Sequence, residues 1–345
     1  MDTKTAHQLR LWLYFVAALI ALMVLVGGAT RLTESGLSIT EWKPIAGTLP
    51  PLDWAQWNVE FEKYQATAQY KELNRGMSLD EFKNIYWWEW AHRFLGRLIG
   101  VAFALPFLFF ALARKLPRSL LLKLGGILLL GGLQGAVGWW MVVSGLADRV
   151  NVVPYRLAIH LMLALAIFTA ILQTAFSLDK YRHPRESGDP AEKALPLDSR
   201  FRGNDGTILL LLLFLQIFLG GLVAGNRAGY IYNTWPLMEG GLLPSGMMFI
   251  EPWWRNFFEN LGLVQFLHRC AAYALLVFGL FVFLKERSKQ AHLLLAALVL
   301  QAGLGIATLL SVMNFWLALA HQAGIILVLF AAISLAFNSK PALNH

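Results

Sequence analysis

Eight stretches of the chain are apolar almost without interruption, at approximately 11–29, 93–113, 120–143, 157–177, 207–225, 262–284, 291–312 and 316–337. Each is long enough to cross a bilayer core, which takes about 20 residues of helix. None shows the short alternating strands of a barrel, and in lipid each segment must satisfy its own backbone polar groups. The pattern predicts an all-α membrane protein with eight transmembrane helices. Two polar stretches interrupt the spans. Residues 179–206 are rich in charge, Gly and Pro, have no apolar period, and read as a linker. Residues 30–91 carry Trp42, Trp54, Trp57, Tyr64, Tyr70, Trp87 and Trp88, too aromatic for a disordered stretch. They are expected to fold onto the membrane surface, with segments such as 54–74 as interfacial helices.

Composition agrees with the spans. Of 345 residues, 57% are hydrophobic and only 14% charged, and the mean hydropathy of +0.54 excludes an ordinary soluble domain. Charge orients the chain. Lys4 and Arg10 precede the first span; Arg114, Lys115, Arg118 and Lys123 lie between the second and third. Lys180, Arg182, Arg185, Lys193, Arg200 and Arg202 lie between the fourth and fifth, Lys285, Arg287 and Lys289 between the sixth and seventh, and Lys340 follows the eighth. By the positive-inside rule these regions, and both termini, are cytoplasmic, while 30–91 falls outside. The net charge of +8 is thus a topology signal, and nucleic-acid binding is excluded. Ten residues before the first span leave no room for a transit peptide, which points to a bacterial inner membrane. The single cysteine, Cys270, rules out an intrachain disulfide framework and reads as a small core residue.

The chain also repeats itself. Residues 27–50 parallel 221–244, pairing Arg31 with Arg227 and Trp42 with Trp235. Residues 88–100 parallel 264–276, pairing His92–Arg93 with His268–Arg269. LQGAVG at 133–138 parallels LQAGLG at 300–305, and 156–168 parallels 317–329, pairing His160 with His321. The expected organisation is two pseudo-symmetric four-helix bundles: an N-terminal half at 1–178 with the outer loop 30–91, the linker at 179–206, and a C-terminal half at 207–345. An even number of spans per repeat places both halves in the membrane in the same direction. All four paired histidines are then expected in the first turns of their helices, near the outer face.

A histidine inside a membrane helix is costly and usually has a partner. Two on facing helices of a four-helix unit can hold a haem iron from both sides. Zinc is disfavoured, since each half lacks a third or fourth nitrogen, sulfur or carboxylate ligand at helical spacing. Gly131, Gly132, Gly135 and Gly138, with Gly303 and Gly305, could let a flat macrocycle approach the backbone, or could serve helix packing alone. Arg93, Arg269, Arg31 and Arg227 could pair with haem propionates, or snorkel to the interface. One difference separates the halves. Glu89 lies one turn before His92, whereas the equivalent residue before His268 is Gln265, which cannot ionise. The carboxylate marks the first half as the reaction site, unless Glu89 belongs to the loop.

The motifs EWxHR at 89–93, GGATRLTxSGLS at 27–38, EWKPxxG at 41–47 and NTWPLM at 233–238 resemble haem A synthase of the mitochondrial and proteobacterial type. The likeness covers the chain except 179–206. The resemblance implies a membrane oxidoreductase that converts haem O to haem A, oxidising a ring methyl to a formyl group in successive hydroxylations, for cytochrome oxidase biogenesis. It implies that His92 and His160 bind the substrate haem, that His268 and His321 are axial ligands of a haem b, and that Glu89 is the essential carboxylate beside the substrate. The implied partners are haem O, membrane lipid, haem O synthase and an electron donor, with a homo-oligomer left open. Members with cysteine pairs in their outer loops differ from this chain, which has none there, so electrons must come from elsewhere. Two rivals remain: a bis-histidine dihaem cytochrome that only transfers electrons, which would place its haems on opposite sides of the bilayer, and a parallel-repeat transporter with a histidine proton relay.

Overall fold

The computed structural model describes residues 1–146, 149–178 and 205–338. The helices are α1 (Thr3–Leu32), α2 (Trp54–Gln65), α3 (Ala68–Glu72), α4 (Leu79–Leu112), α5 (Arg118–Leu146), α6 (Pro154–Ser177), α7 (Asp205–Gly225), α8 (Asn256–Glu259), α9 (Leu261–Glu286), α10 (Lys289–Leu310) and α11 (Phe315–Asn338). Eight of them are long and apolar enough to cross a membrane, one for each apolar stretch of the sequence. Most begin where the side chains can close the first turn. Asp2 accepts from the Thr5 amide at 2.7 Å, Asn260 and Ser288 cap α9 and α10, and Pro154 opens α6, where no amide donor is needed.

The long helices close into two rings of four. In the first half α1 packs on α4, α4 on α5, α5 on α6, and α6 back on α1. In the second, α7, α9, α10 and α11 repeat the circuit. The histidine-bearing pairs α4/α6 and α9/α11 stand on the diagonals and pack less closely than the neighbours around each ring. The halves join through α6 on α7 and α1 on α11, a pairing that maps onto itself when the halves are exchanged. Leu9, Leu13, Leu165, Leu209, Leu213 and Leu329 are fully buried in the shared core. At the α6–α7 contact the two backbones approach closely. A Cβ at Gly221 would lie 2.7 Å from the Ala158 Cα, and one at Gly225 2.7 Å from the Pro154 Cα. Gly221 and Gly225 are four apart, the spacing that lets two membrane helices approach through small residues.

The long loop between α1 and α4 folds as its aromatic content requires. Tyr64, Phe82 and Tyr86 are buried together, packed round by Trp57, Phe61, Tyr70 and Trp90. The helices of this cap fall at α2 and α3, inside the expected 54–74. One expectation is corrected here. The segment before His92 is helical from Leu79 onward, so His92 lies 13 residues into α4, about 20 Å along it at 1.5 Å per residue, and not in its first turn. The capping box of Ser78 and Glu81 starts this helix early. The other three histidines lie about two turns into α6, α9 and α11. Residues 179–204 of the expected linker lie outside the described residues. Asp205 and Gly206 already belong to α7, where Asp205 forms an ion pair with Lys285 of α9.

Candidate functional site

The four paired histidines converge two by two. His92 of α4 faces His160 of α6 with ring centroids 6.5 Å apart, and His268 of α9 faces His321 of α11 at 6.4 Å. A metal between two imidazoles, at about 2 Å from each nitrogen with a ring radius of about 1 Å on either side, sets the rings roughly 6 Å apart. Both pairs match that spacing. Among the described residues no third His, Cys, Asp or Glu joins either pair, which disfavours zinc. Both pairs lie at the same end of the bundles, beneath the loops at 33–78 and 226–260. That placement does not suit a dihaem carrier spanning the bilayer.

Each imidazole leans on a glycine of the neighbouring helix. A Cβ would fall 3.2 Å from the His92 ring at Gly27, 2.9 Å from His160 at Gly138, 3.1 Å from His268 at Gly220 and 2.8 Å from His321 at Gly305. Gly138 and Gly305 therefore seat histidines, while Gly131, Gly132, Gly135 and Gly303 border open space. Gly27 and Gly220 were invisible as histidine seats because they lie on other helices, far before His92 and His268 in the sequence. Glutamines support three of the rings. Gln134 Nε2 lies 3.2 Å from His160 Nδ1, and Gln216 Nε2 lies 3.1 Å from His268 Nδ1. The main-chain carbonyl of Gln301 lies 3.1 Å from His321 Nδ1, while its side chain donates to the His321 main-chain carbonyl at 2.8 Å. The Oε1 atoms of all three glutamines are buried without a partner. Paired imidazoles on separated diagonals, with unsatisfied polar atoms around them, fit a haem in each half.

Glu89 is buried, with both oxygens engaged. Arg93 donates to Oε1 from Nε at 3.0 Å and from Nη2 at 2.6 Å. Ser38 Oγ and the Ile39 amide donate to Oε2 at 2.8 and 2.7 Å. Gln265 occupies the matching place in the second half and does the converse. Its amide donates to the Ala228 and Ile231 carbonyls, each at 2.7 Å, and its oxygen accepts from Arg269 at 2.7 Å. The carboxylate meets loop donors and the amide meets loop acceptors, so part of the Glu/Gln difference follows from the polarity of the loop above each site.

The four arginines singled out in the sequence all have protein partners. Besides Glu89, Arg93 bonds the Ile39 and Glu41 carbonyls at 2.6 and 2.8 Å, and Arg269 bonds the Tyr232 carbonyl at 2.8 Å. Arg31 crosses between halves to the Ala224 carbonyl at 2.6 Å, and Arg227 crosses the other way to Glu34. Farther out, Lys63 joins Glu41 and Glu60 at 2.7 and 2.8 Å, and Lys43 lies 2.6 Å from Glu41. The bonds from Lys43 and Lys63 hold the Glu41 carboxyl below its ordinary pKa. Burial works against the charge of Lys63, but its bonds to Glu41 and Glu60 prevail and hold it above its ordinary value. Cys270 is a correction: it is exposed, on the face of α9 turned away from His268, rather than in the core.

Residues 10–333 match the family described as cytochrome oxidase assembly protein, COX15-CtaA. The chain is 52% identical to a heme A synthase of Azorhizobium caulinodans, over 98% of this chain and 95% of the relative. It is 55% identical to a heme A synthase of Bradyrhizobium diazoefficiens, over 95% and 90%, and 50% identical to one of Mesorhizobium japonicum, over 96% and 90%.

Proposed function

The chain belongs to the COX15-CtaA family of cytochrome oxidase assembly proteins, and from that premise we propose how its two histidine pairs divide one reaction. The protein is a multi-pass membrane enzyme that converts haem O to haem A for cytochrome oxidase biogenesis. The first half, residues 1–178, holds the substrate haem through His92 and His160. The second, residues 207–345, holds a haem b through His268 and His321. What supports this division is one asymmetry: two histidine pairs of equal spacing, with a buried carboxylate beside only the first.

A bound haem iron supplies oxidising power that no protein side chain has. The chain's part is to bind, orient and shield. The aromatic cap of α2, α3 and α4 covers the outer end of the first half, and Trp42 of the loop packs on Trp139 of α5 with ring centroids 5.3 Å apart. Glu89 acts as a fixed negative charge. A carboxylate has about four lone-pair sites, and four donors already occupy them. It is therefore held in one place by its donors, where it can stabilise positive charge developing nearby. The outer loops contain no cysteine, so an electron donor must dock from outside the chain, and haem O synthase supplies the substrate. Lys and Arg between the even and odd spans support an inner-membrane orientation with both termini cytoplasmic.

The test is the absorbance spectrum of the purified protein, with chromatography of its extracted haems, after expression with a supply of haem O. The expected result is haem b together with haem O or haem A. Colourless protein that is correctly folded would overturn the assignment of both sites.

A further inference from the structure

We propose that Arg156 binds a propionate carboxylate of the substrate macrocycle, and so sets which edge of the ring is presented for oxidation. The proposal rests on the reading of His92 and His160 as the substrate site. Arg93, Arg269, Arg31 and Arg227 are committed to the loops or to the other half. Arg156 differs from them. It lies four residues before His160 on α6, on the same face and about 5–6 Å nearer the outer end. Its guanidinium stacks 4.5 Å above the Trp140 ring, and Nη1 donates to the Trp140 carbonyl at 2.8 Å. Its Nε is buried with no hydrogen-bond partner, as is that of Arg269. But Arg269 is held by the Tyr232 carbonyl and Gln265, whereas the one hydrogen bond of Arg156 goes to the carbonyl of its stacking partner. Trp140 follows by two residues Gly138, the glycine on which the His160 ring rests. The stacked arginine therefore sits above His160 on both helices that frame it.

A guanidinium has five donors, and a buried cationic donor without an acceptor is costly. The ligand chemistry that relieves this is a carboxylate, which an arginine fork engages through two parallel bonds. The Trp140 stack holds the guanidinium plane in place in advance. The repeat adds a second line of support. The residue matching Arg156 in the other half is Leu317, so the cation is confined to the half that must hold its haem in one orientation. The loops above the two sites account for the Glu89/Gln265 difference in part; nothing in the loops accounts for Arg156. A macrocycle held only by two axial imidazoles can turn about their common axis, and an anchored carboxylate removes that freedom.

The experiment compares haem with haem dimethyl ester, whose propionates carry no charge. Each is titrated into detergent-purified protein whose second site is already filled, with first-site absorbance as the readout. Arg156→Leu, which makes the halves alike, is expected to weaken haem binding about tenfold to hundredfold, the range of a hydrogen bond to a charged group. Arg156→Lys should recover part of the loss. Esterification should weaken binding to the unaltered protein by a similar factor and leave Arg156→Leu unchanged. His160→Ala serves as the check on the site itself and should abolish the signal, while the second-site spectrum reports folding in every variant. Equal affinity of the unaltered protein for haem and its ester overturns the proposal, as does an Arg156→Leu variant that still distinguishes them. Normal haem binding by His160→Ala would instead overturn the reading of the substrate site.

Discussion

Glu89→Gln is the most informative single substitution, because it changes one atom type at a position whose bonds are all accounted for. The carboxylate accepts from Arg93 on one oxygen, and from Ser38 and the Ile39 amide on the other. An amide has only one acceptor oxygen. If that oxygen faces Arg93, its NH2 meets the Ile39 N–H; if it is turned, its NH2 meets the guanidinium. Either pose leaves a buried donor without an acceptor, at about 1–3 kcal/mol. Loss of the negative charge also leaves Arg93 unpaired, for a total on the order of 3 kcal/mol after relaxation. That corresponds to roughly a hundredfold in a local opening equilibrium. Amide hydrogen exchange at Ile39 should accelerate by about that factor, while haem A formation is lost and haem O accumulates. The His268/His321 haem should remain, since it lies in the other bundle. Unchanged exchange at Ile39 would refute the clamp, and a normal haem A yield would remove Glu89 from the mechanism.

Three further outcomes follow from the same geometry. Gln265→Glu sets a carboxylate against the Ala228 and Ile231 carbonyls, so it should loosen the second-half loop, read as faster exchange across 228–232, without creating a second reaction site. Gly221→Leu drives a side chain into the Ala158 backbone, and overpacking of about 1–3 kcal/mol or more should lower the thermal midpoint of the purified protein. For Glu41, whose folded pKa lies below its unfolded one, the stabilisation is present above the ordinary carboxylate value and is lost as pH falls through the lower, folded value. As an exposed cluster it is worth no more than about 1 kcal/mol. Protease cleavage of the 39–63 loop should therefore rise only below about pH 4.5, and in Glu41→Gln should be raised at neutral pH.

The spans, the duplication and the pairing of histidines were all legible in the sequence, because each leaves a periodic or repeated trace. The early start of α4 was not, since residues 79–92 are polar and aromatic and fail a hydropathy test. The Ser78–Glu81 capping signal would have revealed it. Gln216 was missed because its repeat partner position in α1 holds no glutamine, so comparison of the halves gave no cue. Arg156 looks like any interfacial arginine in the sequence, because its stack on Trp140 and its single hydrogen bond to the Trp140 carbonyl exist only in the fold. The carboxylate asymmetry was legible, but its loop-side cause was not: whether a loop offers donors or acceptors depends on backbone direction, which residue identity does not state.

The division of labour between the halves is the central claim, and haem identity in two single variants tests it most directly. His160→Ala and His321→Ala are each expressed with a supply of haem O and purified, and their haems are extracted and separated by chromatography. The account predicts that His160→Ala keeps haem b and lacks haem O and haem A, while His321→Ala loses haem b and still binds haem O. Loss of the same haem from both variants, or haem A formation by His160→Ala, would contradict it.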